Sequence, residues 1–192
     1  MKDIGKLGGL LMLITAIAAT ALAGIYNVTK PRIEAQKALE LERALTIALP
    51  NAPREAIFPV EDDDKVLYYV GYKTTEQKDL VGYAYVSYGP GYSSVIETMV
   101  GVDSLGEILG MKVLKQVETP GLGTKVEEIK YGEKSPWFTR QFLTKQASQL
   151  AVDKDGGDIQ SITGATISSR ALTKSVVAGY EKLLKDKANQ QQ

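Results

Sequence analysis

The sequence of 192 residues contains no cysteine and no histidine. Without thiolate or imidazole ligands, an iron–sulfur cluster, a histidine-ligated haem and an ordinary zinc site are excluded. The same absence excludes nucleophilic triads and imidazole proton shuttles. Lysine and arginine (23) equal aspartate and glutamate (23), so no basic excess indicates nucleic-acid binding. Any redox chemistry therefore requires an organic cofactor, and we expect neither a metal site nor a catalytic residue.

A long uncharged run occupies residues 7–26, "LGGLLMLITAIAATALAGIY". As a helix, such a run rises about 30 Å, which matches the apolar core of a bilayer. A cleaved signal peptide is the alternative, since "ALA" at 21–23 resembles a cleavage site, but the run is longer than most signal-peptide apolar regions. We predict a retained transmembrane helix over 7–26, preceded by a short cytoplasmic N-terminus, 1–6.

The next segment, 27–50, has apolar residues at helical spacing. Pro31 is expected at an early helical position, and Pro50 is expected to end the helix. This pattern predicts a stalk helix that continues from the membrane into a soluble domain at 51–187. A polar tail, 188–192, follows that domain. The charged stretch "EDDDK" at 61–65 is interpreted as a solvated turn rather than a metal site.

The middle of the chain predicts an antiparallel meander, because β-branched and aromatic segments follow one another with short turns between them. The predicted strands are 66–72, 80–88, 93–102 and 106–116. A short helix is predicted at 135–146, with Ser135 as its cap and Pro136 at its first position. The segment 167–187 is amphipathic and predicts a longer helix. The fold class is therefore α+β, with helices flanking an antiparallel sheet.

Two loops have compositions that suit ligand binding. "ETPGLGTK" at 118–125 has two glycines and a proline, which let backbone amides approach a ligand closely, although a plain turn is the alternative. "SITGATISSR" at 161–170 precedes the last helix, where free N–H groups and the helix dipole favour a phosphate, although an ordinary helix cap is the alternative. Neither loop has the spacing of a P-loop or a Rossmann turn.

Together these stretches resemble one family. "TGATIS" at 163–168 matches the Ser/Thr-Gly-Ala-Thr-x-Ser/Thr signature of proteins that carry covalently bound FMN. "GYSSVIETMVGVD" at 91–103 and "GMKVLKQVETPGLGTKV" at 110–126 are similar to the G subunit of the Rnf ion-translocating electron-transport complex. The C subunit of the sodium-pumping NADH:quinone reductase shares these elements. The anchor, the stalk and the overall length resemble the G subunit more closely.

The resemblance implies a site. The FMN phosphate would be esterified to the hydroxyl of Thr166 by a flavin transferase that uses FAD as donor. Gln160 stands where the signature often has an acidic residue. Glu118 and Lys125 are weaker candidates for the site, and for each a surface role is the alternative. The other residues that we expect to contact the cofactor are Thr163, Gly164, Ala165, Ser168, Thr119, Leu122 and Gly123.

The resemblance also implies a function. The chain would be a membrane-anchored electron-carrier subunit of a ferredoxin:NAD⁺ oxidoreductase, which is a redox-driven ion translocase, rather than an independent catalyst. Its partners would be other membrane subunits, including a second covalent-flavin subunit, with the FMN domain outside the cytoplasm at the inner or plasma membrane. The alternatives are the C subunit of the quinone reductase and a flavin-free structural or adaptor module.

Overall fold

The computed structural model describes residues 2–63 and 65–190. Met1 and the last two glutamines, which belong to the predicted 1–6 and 188–192 segments, lie outside the described residues. The chain forms two compact units, residues 1–40 and 41–192. The first unit is helical, and the second contains the sheet and the remaining helices.

Helix α1 runs without interruption over Lys2–Ala48. Its apolar side chains between Leu7 and Tyr26 are exposed, and within residues 4–48 it is long and apolar enough to cross a membrane. The predicted 7–26 and 27–50 segments both fall mainly in this helix. Pro31 lies in the helix interior. Its expected early helical position was wrong, because the helix begins at Lys2, before the apolar run, and continues through the proline.

The second unit is built on a five-stranded antiparallel sheet in the order β1-β2-β3-β4-β5. Each strand pairs with the next along the chain, so the predicted α+β fold with an antiparallel meander is confirmed. The strands are β1 Ile57–Asp62, β2 Lys65–Tyr72, β3 Leu80–Pro90, β4 Val95–Val102 and β5 Ile108–Lys115.

Strand β1 was not predicted from the sequence. It contains Pro59, which has no N–H group for a central sheet ladder and therefore argues against a strand. The structure resolves this because β1 is an edge strand that pairs only with β2. The turn predicted at 61–65 is shorter than expected, because Asp62 of β1 and Lys65 of β2 already pair with each other.

The two faces of the sheet are covered differently. On one face, Leu45 and Ala48 at the end of α1 pack against Met99 of β4. The backbones approach closely there, because a Cβ on Gly101 would lie 1.9 Å from the Ala48 carbonyl oxygen. On the other face lies helix α3, Thr166–Gln190, whose Leu172, Val176 and Leu183 enter the larger core cluster.

Helix α2, Trp137–Arg140, is shorter than the predicted 135–146 helix. Pro136 occupies the cap position without a side-chain cap hydrogen bond, so Ser135 is not the cap. The chain leaves the helix because Thr144 adopts a φ of +61° and its N–H donates to the Ile108 carbonyl at 2.9 Å. Pairing with β5 therefore takes precedence over extension of the helix.

Candidate functional site

The two loops singled out in the sequence meet at one cavity of about 570 Å³. This size is within the usual range for small-molecule and cofactor sites. The 118–125 loop lies on one side, and the start of α3 lies on the other. A third segment, between β3 and β4, contributes Tyr92, which is 71% exposed. The lining residues are Tyr92, Thr119, Leu122, Gly123, Gly164, Ala165, Thr166, Ile167 and Ser168.

The segment 161–170, called the attachment segment for the role that the resemblance implies, turns sharply before α3 begins at Thr166. Gly164 has a φ of +78°, a conformation that side chains with a Cβ rarely adopt. Ser169 fixes the turn from inside the helix, since its hydroxyl accepts the Ile162 N–H at 3.0 Å and donates to the Ala165 carbonyl at 2.9 Å. This local network brings Ala165 and Thr166 to the cavity wall.

Only some hydroxyls of this segment are free to react. Ser161 donates to the Asp153 carboxylate, Ser168 donates to Glu118 and Ser169 donates to a backbone carbonyl. Thr163 and Thr166 make no side-chain hydrogen bond to any residue that the structure describes. Thr163 is exposed and does not line the cavity, whereas Thr166 is half-buried in its wall. Thr166 is therefore the uncommitted hydroxyl that faces the cavity.

The same wall offers backbone donors. The N–H groups of Thr166, Ile167 and Ser168 have no acceptor within residues 2–63 and 65–190. Unpaired N–H groups are normal in the first turn of a helix, and with the helix dipole they favour an anion. Since these three residues also line the cavity, its α3 side is suited to a phosphate.

Side chains outside the cavity hold the attachment segment at both ends. Before the turn, the Asp153 carboxylate accepts the Ser161 N–H at 3.1 Å, and the Ser161 hydroxyl lowers the pKa of Asp153. Beyond the turn, Asp155 forms a two-point ion pair with Arg170 of α3, with both N···O distances at 2.6 Å. The short helical turn Asp153–Asp155 thus fixes where the segment begins and where it joins α3.

Gln160, which replaces the acidic residue of the signature, is held through its backbone. Its N–H donates to the Gln141 side-chain oxygen at 2.8 Å, and its carbonyl accepts from the Gln141 amide at 3.2 Å. The Gln160 side chain is exposed and makes no hydrogen bond to a described residue. The substitution therefore leaves the geometry of the attachment segment to other residues.

Glu118 lies beneath the cavity and is only 3% exposed. One carboxylate oxygen accepts the Tyr92 N–H at 3.0 Å and the Ser168 hydroxyl at 2.5 Å. The other accepts the N–H groups of Ser93 and Ser94 and the Ser94 hydroxyl, at 2.9–3.1 Å. Burial alone raises the pKa of Glu118, but the Ser168 hydroxyl and the three N–H groups lower it to about 2. Glu118 is therefore an anion at neutral pH.

Two comparisons with known proteins decide the family. Residues 91–181 match the model of the FMN-binding domain, and residues 1–46 match that of the RnfG N-terminal region. The G subunit of the ion-translocating oxidoreductase complex of Haemophilus influenzae (strain PittEE) is 34% identical over an alignment of 203 positions. This alignment covers 100% of this chain and 96% of that protein. The chain belongs to the family of G subunits of ion-translocating oxidoreductase complexes.

Relatives in other organisms give the same result. The G subunit of the Na(+)-translocating ferredoxin:NAD(+) oxidoreductase complex of Acetobacterium woodii is 33% identical, with 91% of this chain and 89% of that protein covered. The G subunit of the ion-translocating oxidoreductase complex of Methanosarcina acetivorans is 32% identical, with 91% and 92% covered. With the apolar part of α1, this membership makes the chain a single-pass membrane protein.

Among the site residues expected for this family, seven line the cavity: Thr119, Leu122, Gly123, Gly164, Ala165, Thr166 and Ser168. Thr163 lies outside it. Glu118 does not have the surface role offered as its alternative, because it is buried. Lys125 is half-buried and does not line the cavity. Sequence reasoning did not name Tyr92 and Ile167 as site residues. Tyr92 lies in the 91–103 stretch and Ile167 takes the variable position of the signature, so neither residue type stood out, and the fold brings both to the cavity.

Gly123 is needed for close packing rather than for an unusual φ. A Cβ at this position would lie 2.7 Å from both the Glu118 Cβ and the Ser168 Oγ. We expect Gly123→Ala to lower the free energy of unfolding by about 2–3 kcal/mol, as overpacking does. Gly132→Ala is the matched control, since Gly132 has open space and a φ of +82°, so strain alone costs about 1 kcal/mol. Denaturant unfolding would measure both, and equal losses would contradict the packing argument.

Proposed function

We propose that this chain is a membrane-anchored electron carrier whose FMN is bound covalently, through a phosphoester to the hydroxyl of Thr166. The observation that carries the proposal is the free Thr166 hydroxyl on the cavity wall, beside three unpaired N–H groups. Thr163 is the other uncommitted hydroxyl of the segment, and it lies outside the cavity.

The cavity suits both ends of FMN. The first turn of α3 provides N–H groups and a positive dipole end for the phosphate. Tyr92, Leu122 and Ile167 provide an aromatic and apolar lining for the ring. Gly164 and Gly123 keep the two walls free of side chains where they approach, since a Cβ on Gly164 would lie 3.1 Å from Leu122. The residues present therefore fit FMN.

The roles of the residues follow from these positions. When bound, FMN supplies reversible two-electron chemistry, which no side chain of this cysteine-free sequence can provide. Thr166 would hold FMN through its hydroxyl oxygen: the FMN phosphoryl group would come from FAD, with AMP as the leaving group and the hydroxyl proton passing to solvent. Ser168 is held by Glu118 and Ser169 by the Ala165 carbonyl, which leaves Thr166 as the acceptor.

A covalent bond suits a carrier in a membrane assembly, because a cofactor that cycles electrons there cannot be lost by dissociation. Attachment through the phosphate also leaves the redox positions of the ring unmodified. The proposed partners are the other subunits of the complex, including a second covalent-flavin membrane subunit, and a flavin transferase during maturation. Residues 7–26 would span the membrane and 27–50 would form the stalk of the FMN domain, 51–187.

Intact mass spectrometry tests the proposal directly. The full-length chain is produced in a host with a flavin transferase and in the same host without it. The proposal predicts a mass increment of one FMN minus one water in the first preparation only, with fragmentation placing it on the peptide that contains Thr166. A chain of unmodified mass from both hosts would contradict the proposal and favour the flavin-free adaptor. The full-length match to G subunits already disfavours the quinone reductase C subunit.

A further inference from the structure

The Glu118 carboxylate is the only buried acidic group among the residues whose burial the structure describes. All five of its hydrogen-bond donors are neutral: three backbone N–H groups and the hydroxyls of Ser94 and Ser168. Within the described part of the chain, no lysine or arginine nitrogen lies within 4.0 Å of it. Its negative charge is solvated by dipoles and is not neutralised by a cation.

This charge lies one layer of atoms from the cavity. Three residues of the cavity lining contact Glu118 directly. The Tyr92 N–H and the Ser168 hydroxyl donate to it, and Gly123 packs so closely that an added Cβ would lie 2.8 Å from a carboxylate oxygen. Because Ser168 and Gly123 are buried, solvent and salt screen the field of this charge weakly on that side.

A flavin ring that accepts two electrons and one proton gains one negative charge. A fixed anion nearby disfavours that gain. Resting on the proposed function, we infer that Glu118 lowers the reduction potential of the flavin in the cavity, and that the Ser168 hydroxyl moderates this effect by directing its positive end at the carboxylate. Glu118 is thus a residue that sets the potential and does not itself react.

Glu118→Gln removes the charge with little change of shape. The amide oxygen can keep the bonds from Ser93 and Ser94, and the amide nitrogen can donate to the Ser168 hydroxyl oxygen, so only the Tyr92 N–H loses its acceptor. The full-length, flavin-loaded protein is titrated by its visible absorbance. We expect the equilibrium to favour reduction about tenfold more, an upward shift of about 30 mV for a two-electron couple.

A second variant gives the opposite sign and does not depend on Glu118→Gln folding. Ser168→Ala keeps the carboxylate but removes the hydroxyl that moderates its charge. We expect the reduction equilibrium to become about threefold less favourable, which is a fall of about 15 mV in the reduction potential. Glu61→Gln, which removes an exposed carboxylate from β1, is the matched control and is expected to change nothing. The Glu118→Gln shift is expected to persist at high salt.

The two proposals fail differently. A wild-type chain that carries no flavin after production with the flavin transferase would refute the proposed function. A loaded Glu118→Gln protein with the wild-type potential, or a Ser168→Ala protein whose potential stays the same or rises, would overturn the inference and leave Glu118 with a purely structural role. Opposite shifts in the two variants, with unchanged Glu61→Gln, would support it. If Glu118→Gln does not fold, the sign of the Ser168→Ala shift decides.

Discussion

Replacing Thr166 with valine is expected to abolish in-gel flavin fluorescence while the domain stays folded. Valine keeps the size and β-branching of threonine, and the Thr166 hydroxyl makes no hydrogen bond to a described residue, so its removal leaves no partner unsatisfied. Only the acceptor oxygen is lost. The measurement is fluorescence of the denatured chain after electrophoresis, where only covalently bound flavin remains, with circular dichroism to confirm the fold.

Thr163→Val is the matched control, because it removes the other uncommitted hydroxyl of the attachment segment without touching the cavity lining. Its fluorescence is expected to equal that of the wild type. Fluorescence that persisted in Thr166→Val, with the flavin found on Thr163 or Ser168, would refute the assignment. For Ser168, such a result would also require the hydrogen bond to Glu118 to open.

The sheet was largely predictable because its strands carry a local signal. β2 and β3 have aromatic and β-branched residues with short turns, and the structure places both within about two residues of the predicted ends. β1 was missed because Pro59 argues locally against a strand, and only the edge position makes it acceptable. The α2 helix was overextended because pairing of Thr144 with Ile108 is a long-range event that local propensity does not contain.

The site was predictable in its parts but not in its assembly. Glycine and hydroxyl patterns identified the 118–125 loop and the attachment segment, and the resemblance selected Thr166. Physical reasoning on sequence alone could not separate five hydroxyls, because their hydrogen-bond partners are set by the folded structure and not by the composition of the segment. Ser168 is bonded to Glu118, which lies 50 residues earlier, and Ser161 to Asp153. Those contacts, rather than composition, leave Thr166 free.

Glu118 shows why a buried charge is hard to recognise in a sequence. A lone glutamate beside proline and glycine has the composition of an exposed turn. It becomes buried because Gly91 and Gly123 allow backbone to close around it, and because three consecutive N–H groups, at Tyr92, Ser93 and Ser94, turn towards it. Neither condition can be read from residue types near position 118.

The orientation in the membrane is the point where a physical rule and the family resemblance disagree. Cytoplasmic flanks normally carry the excess of lysine and arginine. Lys2 and Lys6 precede the apolar run, whereas Lys30, Arg32, Lys37 and Arg43 follow it. By this count, the large domain would be cytoplasmic. The resemblance implies the opposite, and we propose that orientation, because large domains translocate largely regardless of charge and the α-amino group adds a positive charge to the short N-terminal flank.

A cysteine at Lys185 is expected to react with a membrane-impermeant maleimide in intact cells, or in spheroplasts where an outer membrane intervenes. The chain has no cysteine of its own, so the label reports one position. Lys185 is exposed, whereas the neighbouring Lys187 ammonium lies 3.6 Å from the centre of the Tyr83 ring and its replacement would remove that contact. A cysteine at Lys6, on the other side of the apolar run, is the control and should react only after lysis. The reverse pattern at both positions would place the FMN domain in the cytoplasm, as the count of flanking lysines and arginines predicts.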